Sequence, residues 1–331
     1  MRRTVGIILG LLTVVGVVAL VYRGLQHAGH RGTRQVTLHQ AAKTLLYLPL
    51  YIAVDEGYLK EQDVDVRIVT AGGDSQAFAA LASGQAQFAQ GDPTFAAISH
   101  ERGGPGIVIA SVLDRVAFWG VTFDSSLSPF TEPARFRGMT VVTFPRPNTA
   151  YVVQEGLLAR AGLRLGTDSY ITQAAFGSEL GPLQAGEAQM AATIEPTVSQ
   201  AVARGGKVVF SYPDAWGPFL LTGLMTTEEF RQQNPEIVRA MVAAYERSLQ
   251  LLRQNADRAV AVAQKNFPEV EPAIIRAAID RLTAANVFPE HAAVTLESWR
   301  AALQLRTQVG DLKSVDHDDL VENRFAGVGV R

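Results

Sequence analysis

The sequence predicts an α/β fold made of two similarly built lobes with a cleft between them. Strands alternate with helices from Gln35 onward, which is typical of sheets rich in parallel strands and flanked by helices. One structural unit also occurs twice, about one lobe apart in the chain. The 331 residues suffice for two domains of ordinary size, so each copy can belong to its own lobe.

The repeated unit occupies residues 81–94 and residues 183–197. In each copy a helix is expected to end at a glycine, Gly84 or Gly186, because glycine accepts the left-handed conformation that follows a helix. A short apolar strand comes next, and an acid and a proline then open another helix. Chance similarity is the alternative, since Ala, Gly and Gln are common in such stretches.

Residues 36–119 are predicted to form the first part of lobe 1. Gly72 and Gly73 should turn the chain into a helix that Ser75 caps. The other elements expected here are a strand at 36–40, a helix at 49–57, a strand at 64–68 with one wet face and, after the first copy of the repeat, a buried strand at 107–112.

Residues 120–217 are predicted to form lobe 2, entered through the Ser- and Pro-rich segment 118–136. The elements expected here are a strand at 140–144, a helix at 149–162, a strand at 171–175, the second copy of the repeat and a strand at 208–210.

Residues 218–331 are predicted to return to lobe 1. A strand at 220–226 should rejoin the first sheet, and residues 235–309 show the spacing of amphipathic helices. The two crossings, near Trp119 and Trp216, would then form a hinge about which the lobes close.

Composition narrows the class of protein. Apolar residues make up 47% of the chain, charged residues 19%, and the net charge is −2, which indicates a globular protein with no nucleic-acid partner. There are no cysteines, so disulfides, thiolate metal sites, cysteine nucleophiles and a lipid-attachment cysteine are excluded.

Residues 1–34 are predicted to be a signal peptide or membrane anchor followed by a short tether. Arg2 and Arg3 precede an apolar run over residues 5–22, which is the layout of an export signal. The run is near the lower length limit for a membrane span, and no small-residue cleavage site follows it, which favours an uncleaved anchor.

Several segments resemble periplasmic solute-binding proteins of the nitrate/sulfonate/taurine type, which share a fold with yeast thiamine-pyrimidine synthases. The segments are YLPLYIA at 47–53, EGYLKE at 56–61, ALASGQAQF at 80–88, RGMTV at 137–141, Glu195-Pro196 and LVENRF at 320–325. The resemblance covers residues 36–326 and implies a type II periplasmic binding fold. This chain has Pro145 to Thr149 where many relatives carry Gly-Ser, and it lacks the cysteine-rich stretch of the synthases.

The residues expected to contact a ligand lie in loops that follow the strands, where open α/β sheets bind their ligands. They are Tyr47, Asp74, Ser75, Asp92, Arg115, Trp119, Arg146, Asn148, Thr149, Phe176, Glu195 and Trp216.

These candidates differ in the chemistry expected of them. Asn148 and Thr149 open a helix whose N–H groups favour an acceptor. Arg115 and Arg146 are the candidate cations, and the aromatic side chains could stack on a flat ligand. Asp92 and Glu195 could accept hydrogen bonds from a ligand N–H, although capping their own helices is the alternative.

The resemblance implies an exported binding protein that delivers a small organic solute to the permease and ATPase of an ABC importer. The solute would be a sulfonate, a carboxylate, a nitrate-like anion or a nitrogen heterocycle. The expected location is periplasmic, with residues 5–22 as a possible link to the inner membrane. The alternatives are an enzyme on the same fold, similar to a pyrimidine-precursor synthase, and a membrane-tethered sensory domain. No catalytic set, metal site or cofactor is expected, because no such motif is present.

Overall fold

The computed structural model describes residues 32–327, which form two five-stranded sheets. The sheet of lobe 1 contains β1 (Arg34–Gln40), β2 (Val64–Thr70), β3 (Phe88–Gly91), β4 (Ile107–Arg115) and β10 (Pro218–Thr226). The sheet of lobe 2 contains β5 (Trp119–Thr122), β6 (Thr140–Thr143), β7 (Tyr170–Gln173), β8 (Met190–Thr193) and β9 (Lys207–Ser211).

The two sheets have the same topology. Their strand orders are β2-β1-β3-β10-β4 and β7-β6-β8-β5-β9. In each, the first three strands are parallel and the last two pairings are antiparallel. The predicted two-lobed α/β fold is therefore confirmed, with sheets that are mixed in direction.

Helices cover both sheets. They are α1 (Leu48–Asp55), α2 (Asp74–Ala82), α3 (Thr94–His100), α4 (Thr149–Arg160), α5 (Leu180–Gln184), α6 (Thr197–Ala203), α7 (Tyr212–Trp216), α8 (Glu228–Gln233), α9 (Pro235–Gln254), α10 (Ala256–Asn266), α11 (Pro272–Ala284) and α12 (Leu296–Gln308). None of the helices within residues 32–327 is long and apolar enough to cross a membrane.

The repeated unit occupies the same place in each sheet. Gly84 follows α2 with φ +77° and Gly186 follows α5 with φ +75°, so both glycines adopt the expected left-handed conformation. The strands that come next, β3 and β8, are the third strands of their sheets, and α3 and α6 start directly after the Asp-Pro and Glu-Pro pairs.

Two glutamines of the repeat show that the match extends to side chains. The Gln87 Oε1 atom accepts from the Thr37 N–H at 2.9 Å, and Gln189 Oε1 accepts from the Thr140 N–H at 2.8 Å. The first bond joins the residue before β3 to β1, and the second joins the residue before β8 to β6. In each sheet it therefore links the start of the third strand to the middle one of the three parallel strands. Chance similarity does not explain equivalent hydrogen bonds at equivalent positions.

The chain crosses between the sheets twice, and the crossings lie side by side. Residues 116–118 join β4 to β5, and Gly217 joins α7 to β10. Arg115 at the end of β4 pairs with Pro218 at the start of β10, which keeps the crossings adjacent. Gly217 has φ +71°, a conformation that favours glycine.

The C-terminal helices pack mainly on lobe 1 and also reach lobe 2. α9 and α10 pack on α1, and α12 packs on β10. α12 also contacts α4, and α11 contacts α6, so both helices bridge the lobes. This arrangement brings residues near the end of the chain to the cleft.

The start of α2 differs from the prediction. Ser75 is not the N-cap of α2, because the helix begins one residue earlier at Asp74 and Gly73 occupies the cap position. The predicted signal or anchor falls on residues 1–31, which lie outside the described residues. The proposed division at residues 119/120 and 217/218 stays a prediction about domains.

Candidate functional site

A small cavity of about 40 Å³ lies between the lobes, where the strands of both sheets end. Ala41 follows β1, Phe144 follows β6 and Ile194 follows β8, so three parallel strands point their carboxyl ends at it. The lining residues are Ala41, Ala42, Thr44, Leu46, Tyr47, Asp74, Phe118, Phe144, Asn148, Thr149, Phe176, Ile194, Leu221 and Thr222.

Aromatic side chains form much of the cavity wall. Phe144 and Phe176 stack with ring centroids 4.1 Å apart and planes at 29°. Phe176 remains 38% exposed, so its outer face is free to meet a ligand. Tyr47 is buried opposite, and burial together with the nearby Asp74 carboxylate raises the pKa of Tyr47 well above its usual range. Its hydroxyl therefore stays protonated.

Asp74 supplies the acidic group of the cavity. Its Oδ1 accepts from the Asp92 N–H at 2.9 Å, and its Oδ2 accepts from Asn148 Nδ2 at 3.1 Å. Burial, with repulsion from Asp92, raises the pKa of Asp74 to about 6. The bond to Asn148 crosses the cleft, so this carboxylate links the two lobes.

A second polar link lies beneath the cavity, around Asp92. Its Oδ2 accepts from the Thr149 hydroxyl of lobe 2 and from Arg306 Nη2 of α12, the latter at 2.6 Å. Its Oδ1 accepts from the Thr94 N–H at 2.8 Å and so caps α3. Asp92 and Arg306 are both almost fully buried, at 2% and 1% exposed. Asp92 is therefore committed to the protein's own groups and does not line the cavity.

Two further spaces open beside the central cavity. One of about 230 Å³ is lined by Ser75, Phe95 and Arg146, and shares Asp74 and Phe176 with the central cavity. The other, about 360 Å³, lies on the opposite side, and the charged residues among those that line it are Lys43, Glu179, Glu195 and Glu269. Together the three spaces make up the interlobe cleft.

Glu195 borders the larger side space but is occupied by internal partners. Its carboxylate accepts from the Ser199 N–H at 3.0 Å and from Arg281 Nε at 2.8 Å. The residue is fully buried, and burial raises its pKa despite these donors. Asp92 and Glu195, the two acids of the repeat, therefore do not border one pocket, because Glu195 lines the 360 Å³ space and Asp92 lines none of the three spaces.

Arg146 lies at the rim of the 230 Å³ space and is paired there. Its guanidinium contacts Glu155 at 2.6 Å and Asp311 at 3.0 Å. It therefore pairs with neither Asp92 nor Glu195. The pair with Asp311 ties lobe 2 to the segment that follows α12, whereas the pair with Glu155 lies within lobe 2.

Three other candidates lie away from the cavity. Arg115 is half-buried at the end of β4, and Trp119 is buried within β5, opposite Thr193 and Ser211. Trp216 is buried under the guanidinium of Arg160. The two tryptophans flank the crossings, but their side chains do not line the cleft. The structure thus brings together Tyr47, Asp74, Asn148, Thr149 and Phe176, with Ser75, Arg146 and Glu195 beside them.

Sequence reasoning missed Arg306 and underrated Phe144. Phe144 is not among the expected ligand contacts, yet it packs in the core and also lines the cavity. Arg306 falls on the buried stripe of α12 with Trp299, Ala302 and Leu303. A charged residue on an otherwise apolar helix stripe was the available signal, because it requires a buried partner.

The described residues contain no group of three or more His, Asp or Glu side chains arranged to hold a metal ion.

The chain matches the sequence model of the family described as NMT1/THI5 like over residues 46–259. A putative binding protein of Bacillus subtilis (strain 168), YtlA, is 19% identical over 297 residues, which are 88% of this chain and 89% of that protein.

The solved structures with similar folds include two periplasmic binding proteins. The periplasmic aliphatic sulphonate binding protein SsuA from Escherichia coli superposes with a TM-score of 0.70, at 16% identity, over 87% of this chain and 97% of that chain. The periplasmic nitrate-binding protein NrtA from Synechocystis PCC 6803 superposes with a TM-score of 0.68, at 14% identity, over 88% of this chain and 84% of that chain. At these identities the likeness concerns the fold.

Proposed function

The chain belongs to the NMT1/THI5-like family, and from this membership we propose that it is an exported solute-binding protein of an ABC importer. It captures a small organic solute in the interlobe cleft and presents it to the permease. The observation that carries the proposal is the cavity to which both lobes contribute aromatic and polar side chains, beside two adjacent crossings. That geometry suits a ligand held by closure of the lobes about a hinge.

Binding is favoured over catalysis by the chemistry of the cleft. The carboxylates of Asp92 and Glu195 are held by buried partners, so neither is placed to transfer protons to a bound molecule. The similar solved proteins are described as binding proteins, and the Bacillus relative as a putative binding protein. A synthase on the same fold is the less supported alternative.

The partners and location follow from the same proposal. A periplasmic receptor must meet a permease in the inner membrane, and an N-terminal anchor at residues 5–22 would keep it close by. The two solved relatives are described as periplasmic, which supports an extracytoplasmic location for this chain.

Lobe closure can be measured directly because the chain has no cysteine. Asp65→Cys on β2 and Tyr170→Cys on β7 place two dyes on exposed outer strands of different lobes. The full-length protein is first screened by thermal shift against taurine, methanesulfonate, benzoate, nitrate, cytosine and benzamidine. A compound that raises the melting temperature should change the energy transfer between the two dyes.

A second labelled pair within lobe 2, Tyr170→Cys with Arg204→Cys, serves as the control. Its energy transfer should stay constant while that of the interlobe pair changes. If a compound binds and neither pair responds, the hinge mechanism is wrong. If none of the six compounds binds and no solute from a wider screen binds, the proposed receptor function is wrong.

A further inference from the structure

We propose that the cleft binds an organic cation, an amine or amidinium group on a flat apolar ring, with the Asp74 carboxylate as its counter-ion. This inference rests on the proposed function, since it names the class of solute that the receptor takes. It differs from the sulphonate and nitrate named for the two solved relatives.

The charge of the central cavity is the first observation. Among the described residues that line it, none is a lysine or arginine, and Asp74 is the charged one. Asp74 has no ion-pair partner within residues 32–327, whereas Asp92 pairs with Arg306 and Glu195 pairs with Arg281. Asp92 and Glu195 are therefore neutralised, and the charge of Asp74 is left for a ligand.

The nearby cations are paired elsewhere or lie outside the central cavity. Arg306, whose charge acts on Asp74, is paired with Asp92 and Asp311. Arg146 lines the 230 Å³ space, but its guanidinium is taken by Glu155 and Asp311. Lys43 lines the 360 Å³ space from an exposed position, and its ammonium lies 5.1 Å from the centre of the Phe267 ring. An anion in the central cavity would meet Asp74 with no cation beside it.

The helix starts around the cleft are also unsuited to an anion. Backbone N–H groups at these positions are the usual anion donors. Here the Thr94 N–H is held by Asp92, the Ala150 N–H by the Asn148 side chain, and the Ser199 N–H by Glu195. α2 begins on Asp74 itself, whose charge repels an anion.

The cleft has room and flat surfaces for a ring. The central cavity of about 40 Å³ can take a charged head group against Asp74. The ring then extends into the adjoining 230 Å³ space, between Phe95 and Phe176. Asn148 shows what Asp74 accepts, because its amide N–H already donates to Oδ2 across the cleft. A ligand N–H group would replace that amide.

A second acid without an ion-pair partner among the described residues, Glu179, lines the space on the other side of Phe176. Glu179 is 1% exposed, lines the 360 Å³ space that Phe176 also lines, and its Oε2 has no hydrogen-bond partner among the described residues. A buried polar atom without a partner is costly, so a donor from a ligand would be favourable there. Both acids thus call for N–H donors around one aromatic ring.

Benzamidine, benzamide and benzoate test the inference because they share one shape and carry charges of plus one, zero and minus one. Calorimetric titration of the full-length protein at pH 7.5 should give an affinity for benzamidine at least tenfold above that for benzoate. Benzenesulfonate and nitrate are titrated in parallel and should bind no better than benzoate.

Asp74→Asn keeps the shape of the side chain, removes its charge and replaces one of its two acceptor oxygens by a donor. It should weaken benzamidine binding at least tenfold more than benzamide binding, a contrast that a merely structural role would not produce. The matched control is Asp65→Asn, an equal loss of charge at an exposed position of β2, which should change neither affinity.

The affinity should also depend on pH. Benzamidine stays protonated between pH 5 and 7.5, whereas Asp74 has a pKa of about 6 and faces Tyr47, Asp92 and Arg306. Lowering the pH over this range should weaken binding by roughly tenfold, because the ionised fraction of Asp74 falls by about that factor. The Asp74→Asn variant should lose this dependence, which separates Asp74 from Glu179 and Glu195.

Each result decides something. Benzoate, benzenesulfonate or nitrate binding as tightly as benzamidine would overturn the inference and still support a receptor function. Failure of all these probes to bind would also overturn the inference of a cationic ligand. The receptor function would then be decided separately, by the wider solute screen with dye-labelled protein. Unchanged benzamidine binding in Asp74→Asn would show that the counter-ion is elsewhere.

Discussion

Replacing Arg306 by methionine is expected to destabilise the protein strongly, because the guanidinium holds a buried charge and joins the lobes. It contacts Asp92 at 2.6 Å and Asp311 at 2.8 Å, and donates to Thr94 Oγ1 at 3.1 Å and the Pro147 carbonyl at 3.3 Å. Removing one partner of a buried ion pair costs about 3–5 kcal/mol. Asp92 keeps the Thr94 and Thr149 donors, so we expect about 3 kcal/mol for Arg306→Met.

The assay is urea unfolding followed by tryptophan fluorescence, with Arg258→Met as the control. Arg258 pairs with Glu56 at 2.7 Å on the surface, where its side chain is 54% exposed, so its loss should cost no more than about 1 kcal/mol. The double variant Arg306→Met with Asp92→Asn should lose about 2 kcal/mol less stability than the sum of the losses of the two single variants, because it leaves no unpaired buried carboxylate at position 92. Equal losses for Arg306→Met and Arg258→Met would refute the reasoning.

Two further predictions concern Asp74 and Gly217. The pKa of Asp74 is raised to about 6, so the folded state favours the protonated form, and stability is lost as the pH rises through this value. From pH 5 to pH 7.5 the free energy of unfolding of the wild type should therefore fall by up to about 1 kcal/mol relative to that of Asp74→Asn, after allowance for solvent screening. A difference in free energy of unfolding that stays constant with pH, measured by urea unfolding, would contradict this. Gly217→Ala should cost about 1–3 kcal/mol, since its φ of +71° strains any other residue although nothing lies within 4 Å of an added Cβ. Gly181 in α5 also has open space around an added Cβ but has no positive φ, so Gly181→Ala should be neutral or slightly stabilising. Equal melting temperatures for the two variants would show that the backbone at Gly217 can relax.

The alternation of strands and helices and the repeated unit were enough to predict the fold. Both depend on local chemistry: Gly84 and Gly186 end helices because glycine tolerates positive φ, and an acid before proline opens the next helix. The family resemblance was confirmed by the match to the NMT1/THI5-like model over residues 46–259. The misplaced cap at Ser75 shows the limit of such local signals, since Gly73 and Ser75 both suit a helix start.

The candidate site was predicted unevenly. Loops at the carboxyl ends of strands can be located from the strands alone, which is why Tyr47, Asp74, Asn148, Thr149 and Phe176 meet at one cavity. Which loop residue faces the cavity is decided by packing. Trp119 and Trp216 follow or precede the crossings as expected, yet their rings pack inside lobe 2.

The sequence by itself determined the two lobes, their common plan and the edge of the sheets where a ligand can enter, because these depend on periodicity and turn chemistry within short segments. Only the tertiary structure decided the charge of the cleft. Arg306 and Arg281 come from helices far along the chain and neutralise Asp92 and Glu195, while Asp74 receives no cation. Ion pairing between distant segments follows from how the C-terminal helices bridge the lobes. A charged residue on the buried stripe of α12 signals that a partner is needed, but it does not identify that partner.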